Sequence, residues 1–107
     1  MTSAQFRKLA VGFAGVVESE HMDHPDFRVG GKIFATLGYP DKEWGMAKLT
    51  PEQQRKFMKR APGVFEPCAG TWGKRGATSV RLAEVDIATA REAMRLAWEN
   101  VKPGSIS

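Results

Sequence analysis

Apolar and polar positions along this chain follow two different periods, and the switches between them mark its elements. Phe6, Leu9, Ala10 and Phe13 fall at i, i+3, i+4 and i+7, a stripe that predicts a helix from about Ala4 to Phe13 with Ser3 as N-cap and Gly12 and Gly15 at its exit. Val16 to Glu20 alternates weakly and starts with two β-branched residues, a pattern compatible with a short strand before a loop at His21 to Asp26. Phe27-Arg28-Val29 and Lys32 to Leu37 flank Gly30-Gly31, which signals a hairpin because both turn residues need positive φ. A two-residue loop there sets Phe27 opposite Phe34 and puts Arg28 on the other face beside Ile33, Ala35 and Leu37.

Gly38 to Lys42, with Pro40 and Asp41, has turn chemistry, and Trp44 to Leu49 reads as the next strand, with Trp44, Met46 and Lys48 on one side. Thr50-Pro51-Glu52-Gln53 supplies an N-cap, a proline at the first helical position and a capping-box glutamine. That helix runs to about Arg60, where Pro62-Gly63 stops it. Val64 to Glu66 and Ser79 to Val85 read as two further strands. Asp86 then caps a helix whose apolar face is Ile87, Ala90, Met94, Ala97, Trp98 and Val101, closed by Pro103-Gly104. The order αβββαββα predicts a two-layer α+β fold, an antiparallel sheet with helices, in a single domain over residues 1–107.

Composition narrows the functional classes. The 107 residues are 42% hydrophobic and 26% charged, as expected of one globular core and unlike a disordered or fibrous chain. No run approaches the roughly 20 apolar residues that cross a bilayer, and no secretory signal pattern opens the chain, so the expected location is the cytoplasm. Cys68 is the single cysteine, which excludes an internal disulfide and a zinc site built mainly from thiolates. The net charge of +4 is unevenly distributed: residues 48–81 hold eight cations against Glu52 and Glu66, a local +6, while each flank carries −1. A locally basic surface favours polyanionic partners.

The chemistry-bearing residues each have a functional and a structural reading. Arg55, Lys56, Lys59 and Arg60 make two like-charge i,i+4 pairs, which oppose helix formation by about 0.2–0.5 kcal/mol each and read either as an anion-binding stripe or as a solvated face near a helix C-terminus. Gly70 to Leu82 combines three glycines, Trp72 and the adjacent cations Lys74 and Arg75 in a loop or hairpin tip, with Trp72 expected to anchor on the core. His21 and His24 are three apart with Asp26 nearby, but no glutamate lies between them and no third ligand is evident, so no metal or cofactor is expected. Cys68 has no base beside it in sequence and reads as a buried, inert thiol. Trp44, Trp98 and the phenylalanines at 6, 13, 27, 34, 57 and 65 are assigned to the core.

Four stretches together resemble the MmcQ/YjbR family: His24-Pro25-Asp26-Phe27-Arg28-Val29-Gly30-Gly31-Lys32-Ile33-Phe34-Ala35, Lys48-Leu49-Thr50-Pro51-Glu52-Gln53, Gly70-Thr71-Trp72-Gly73, and Arg81-Leu82 through Val85-Asp86 to Ala97-Trp98. The resemblance implies a fold related to type III secretion chaperones and bacterial frataxin, with a double-wing DNA-binding motif. The first predicted helix lacks an acidic ridge and the chain is basic, which argues against iron delivery. The resulting expectation is a non-enzymatic DNA-binding domain in which Arg28 and Lys32 on one wing, Arg55 and Lys59 on the helix, and Lys74 and Arg75 on the second wing contact phosphates. A second reading is a protein-interaction module of chaperone type. A third is an enzyme or small-ligand protein, which requires His21, His24 and Cys68 to converge in one pocket.

Overall fold

The computed structural model describes residues 1–39 and 41–104. Within them run α1 (Ser3–Val11), β1 (Val16–His21), β2 (His24–Val29), β3 (Lys32–Leu37), β4 (Trp44–Lys48), α2 (Pro51–Arg60), β5 (Phe65–Pro67), α3 (Gly70–Lys74), β6 (Ala77–Arg81) and α4 (Ile87–Val101). The strands form one antiparallel sheet in the order β1-β2-β3-β4-β6-β5. The α+β class read from the sequence is the class observed, and its element string gains two members. Val16–His21 is a full edge strand, and the segment around Trp72 folds as a short helix rather than a loop. Pro40, part of the predicted Gly38 to Lys42 turn, lies outside the described residues.

Local chemistry sets the helix starts. The pattern Thr-x-x-Gln occurs at Thr2–Gln5 and at Thr50–Gln53, and both make reciprocal capping boxes in which the hydroxyl accepts from the glutamine N–H and the glutamine side chain accepts from the threonine N–H. Thr2, not the predicted Ser3, is therefore the first N-cap: three residues beyond Ser3 stands Phe6, which cannot return the bond. Asp86 caps α4 as expected, accepting from the Thr89 N–H at 2.7 Å.

α1, α4 and α2 pack on one face of the sheet. Phe6 and Ala10 of α1, Ala93 and Met94 of α4 and Phe57 of α2 meet Phe27, Phe34, Phe65 and Val80 of the strands. Each buried phenylalanine contributes on the order of 1.5–3 kcal/mol. Gly45 lets Phe6 lie flat on β4, since a Cβ there would stand 2.8 Å from the ring. Phe13, Trp44 and Trp98, expected in the core, are only half-buried: Phe13 and Trp98 stack at 5.8 Å on its rim, and Trp44 carries the Arg81 guanidinium 4.5 Å over its ring.

The first two hairpins differ from expectation in ways that matter for the site. Gly30 and Gly31 do form the β2–β3 turn, at φ of +60° and +79°, but a β-bulge pairs Phe27 with Ala35 rather than with Phe34. One extra residue in β3 reverses the facing of everything beyond it, so Ala35 and Leu37 turn into the core and Thr36 turns to the opposite face. At the other hairpin, the predicted His21 to Asp26 loop contracts to a two-residue turn. Met22 and Asp23 hold φ of +50° and +65°, and His21 pairs directly with His24. Non-glycine residues in that left-handed region cost about 1–2 kcal/mol each.

Gln54 ties α2 to the β5–β6 end. Its buried amide nitrogen donates to the carbonyls of Gly73 (3.0 Å) and Ala77 (3.1 Å) and to the Thr78 hydroxyl (3.2 Å). Gln54→Leu keeps the volume but strands those acceptors, so a loss of about 2 kcal/mol is expected in urea unfolding, with faster amide exchange confined to residues 70–76. Unchanged exchange in α3 would show that the amide is not what holds it.

Candidate functional site

The sheet face opposite α1, α2 and α4 bears a cross-strand row, Asp26, Thr36, Met46 and Ser79, contributed in turn by β2, β3, β4 and β6. All four are buried although the long helices lie on the other side. Over this row opens a cavity of about 330 Å³ with Thr36 and Met46 in its lining. His21 and His24 enter from the β1–β2 turn, Tyr39 from the β3–β4 connection, and Cys68, Ala69 and Trp72 from the β5–α3 junction. The three groups required to converge in the enzyme or small-ligand reading, His21, His24 and Cys68, thus share one cavity. Trp72, expected to pack on the core, lines it instead and is 53% exposed. A smaller cavity of about 160 Å³ continues past Tyr39 and Cys68 towards Trp44 and Glu66.

Asp26 organises one wall. Its side chain has no solvent exposure, and its carboxylate accepts from Arg28 Nε (2.8 Å) and Nη2 (3.1 Å) and from His21 Nδ1 (2.8 Å). The Arg28 hydrogen bond, helped by His21, outweighs burial and holds the Asp26 carboxyl below the ordinary carboxylate range. An ionised carboxylate only accepts, so the His21 Nδ1 carries the proton, which leaves Nε2 as an acceptor in the neutral ring. Thr36 is only 7% exposed, and its hydroxyl, which makes no hydrogen bond among the described residues, lies in the part that stays accessible. The Cys68 thiol is pushed up by burial, an effect opposed by Ser79, whose Oγ lies 3.4 Å from the sulfur. Among the described residues, no three of His, Cys, Asp and Glu gather as metal ligands.

No lysine or arginine is among the described residues that line this cavity. Val29 pairs with Lys32, Ala35 with Ala47, Lys48 with Ala77, and Pro67 with Thr78, so the β2–β3 turn, the β4–α2 junction and the β5–α3–β6 connection lie at one end of the sheet. Lys32, Lys74 and Arg75 stand at this end, all exposed. Lys48 joins them, and so does Lys102, since Pro103 packs against Gly30. Sequence reasoning had no means of adding these two, because only strand register and the α4–hairpin contact bring them there. Arg55 and Lys59 line the exposed side of α2, and neither has an acidic partner among the described residues. Arg28 does not join this group: its guanidinium turns back along β2 to Asp26. Arg60 and Arg81 are likewise engaged, with Glu92 at 2.7 Å and Glu66 at 3.9 Å.

Among the described residues no helix is long and apolar enough to cross a membrane. No curated protein sequence matches the chain. The fold is similar to that of the crystal structure of Deinococcus radiodurans protein DR2400, which has a DUF419 domain: the TM-score is 0.81 at 18% identity, covering 99% of this chain and 82% of that one. Residues 11–100, which span the sheet, the cavity and all the cations except Arg7, Lys8 and Lys102, match the YjbR family, and the chain belongs to that family.

Proposed function

We propose that this domain binds duplex DNA along the phosphate backbone, with Lys32 at the β2–β3 turn, Lys48 at the β4–α2 junction, Lys74 and Arg75 in the β5–β6 connection, and Arg55 and Lys59 on α2 as the contacts. The observation that carries this reading is the gathering of the β2–β3 turn and the β5–β6 connection at one end of the sheet. Their midlines are three strand spacings apart, about 14 Å. That distance is commensurate with the roughly 12 Å major groove, so cations on the two ends can reach phosphates on its two walls. These six exposed cations have no acidic partners among the described residues, and ion pairing within the protein does not compete for them. Arg28 stays with Asp26 and adds nothing to backbone binding.

In this proposal the protein is cytoplasmic and acts by binding rather than catalysis. Cys68 is the thiol in the cavity's lining, and burial disfavours its thiolate, the reverse of what nucleophilic chemistry needs. The test is anisotropy of a labelled 20-base-pair duplex across ionic strength. Six phosphate contacts give a slope of log K on log salt of about −5, and roughly a thousandfold loss of affinity between 50 and 200 mM salt. The double variant Lys74→Ala, Arg75→Ala is expected to flatten the slope by about 2 with little dependence on DNA sequence. Absence of binding at 50 mM salt overturns the proposal.

A further inference from the structure

The cavity over the Asp26 row contains features that a purely structural pocket has no use for. Tyr39 and Trp72 reach it from separate elements, and they keep 58% and 53% of their surface exposed instead of burying rings that could close the core. Thr36 is over nine-tenths buried in the floor, and its hydroxyl, which makes no hydrogen bond among the described residues, keeps access to the open volume. A hydroxyl that meets the open volume without a protein partner is free to bond water or a ligand there. His21 gives its Nδ1 proton to Asp26 and keeps Nε2 as an acceptor, while His24 sets its ring edge-on to Tyr39 at 6.0 Å. Lys74 and Arg75, exposed and without acidic partners among the described residues, follow Trp72 by two and three residues.

Aromatic rings with a donor and an acceptor in the same lining are the complement of one planar heterocycle, and the two cations that follow Trp72 in the chain suit an anion joined to it. We propose that this cavity binds an unpaired nucleobase, stacked on Trp72 and Tyr39 and hydrogen-bonded by Thr36 and His21, with the attached phosphate held by Lys74 and Arg75. A volume of about 330 Å³ is at the small end of the range for ligand pockets and suits one base rather than a dinucleotide. A neutral sugar would use the aromatic rings but leave the two cations idle. The inference goes beyond backbone binding, since a paired base cannot enter, and it shares with that reading only the two cations that follow Trp72.

The experiment titrates the full chain, observed by NMR and tryptophan fluorescence, with thymidine, thymidine 5′-monophosphate, a hexathymidylate and ribose 5-phosphate at 50 and 300 mM salt. Thymidine 5′-monophosphate and hexathymidylate are expected to shift the Thr36, Tyr39 and Trp72 signals, and thymidine to shift them weakly but independently of salt. Equal affinity for the monophosphate and the hexamer identifies a free nucleotide as the ligand; a much tighter hexamer identifies a strand. Trp72→Ala is expected to weaken hexamer binding about 5- to 150-fold. Thr36→Val, which keeps the shape, is expected to weaken it severalfold without lowering the melting temperature. No shift in the cavity at 5 mM ligand, equal shifts from ribose 5-phosphate, or unchanged hexamer affinity in Trp72→Ala overturns the proposal. Loss of duplex affinity with the cavity shifts retained would remove the backbone reading alone.

Discussion

Gly76→Ala is expected to destabilise the domain by about 3 kcal/mol or more and to lower its melting temperature by roughly 15 °C or more. Gly76 stands at φ +112°, where side chains are rarely tolerated, and a Cβ there would overlap the Leu49 carbonyl oxygen and crowd the Thr50 carbonyl carbon. Nothing nearby can give way cheaply. Leu49 and Thr50 are the junction from β4 into α2, and Thr50 is the cap of that helix. On the other side, Gly76 donates to the Gly73 carbonyl at 3.1 Å and accepts from the Thr78 hydroxyl at 2.7 Å, so movement in either direction strains α3 or β6. The whole domain is held by only about 5–15 kcal/mol. Gly63→Ala is the matched control: φ is +81° there, but no atom lies within 4 Å of an added Cβ, and a loss of about 1 kcal/mol is expected. Thermal and urea melts of the two variants decide the matter; equal losses would mean that backbone conformation alone, and not the Leu49 contact, fixes this position.

The same junction shows what the sequence makes legible and what it leaves out. Both capping boxes, the diglycine turn and the cap of α4 are written in residues a few positions apart, and short-range chemistry of that kind survives folding unchanged. The β1–β2 turn violates its own local rules, since Met22 and Asp23 take positive φ without a glycine, and so it reads as a loop. The bulge at Phe34 has no sequence marker, yet it decides that Thr36 faces the cavity and Ala35 the core. α3 hides behind glycines: Gly73 sits so close to the Cys68 carbonyl that no side chain fits, which makes a helical turn look like a flexible tip. Charge counting found the basic segment but not its pairing. Arg28 is engaged by Asp26 of its own strand and Arg60 and Arg81 by acids of other elements, and only strand register gathers Lys32, Lys48, Lys74 and Arg75 at one end.

Asp26→Asn is expected to remove about 2 kcal/mol of stability at neutral pH, and to do so in a pH-dependent way. Losing one member of a buried ion pair can cost 3–5 kcal/mol, and the smaller figure reflects Arg28, whose side chain is 37% exposed and can turn to water. An asparagine side chain keeps the shape but offers one acceptor oxygen to Arg28 and His21, which now take both. In the wild type the carboxyl ionises more readily folded than unfolded, chiefly because of Arg28, so around pH 4 the unfolded chain binds the extra proton and stability rises with pH. The contribution is therefore complete above the unfolded value near 3.9 and disappears as pH falls through the lower folded value. Urea melts from pH 7 to pH 3 should show the gap between wild type and Asp26→Asn wide and constant down to about pH 5, then narrowing below pH 4. A constant gap over the whole range would mean that Asp26 acts by shape and not by charge. Because Asp26 fixes the His21 ring, the variant should also lose the Nδ1-protonated preference in nitrogen NMR spectra, which ties the acid limb of stability to the wall of the cavity.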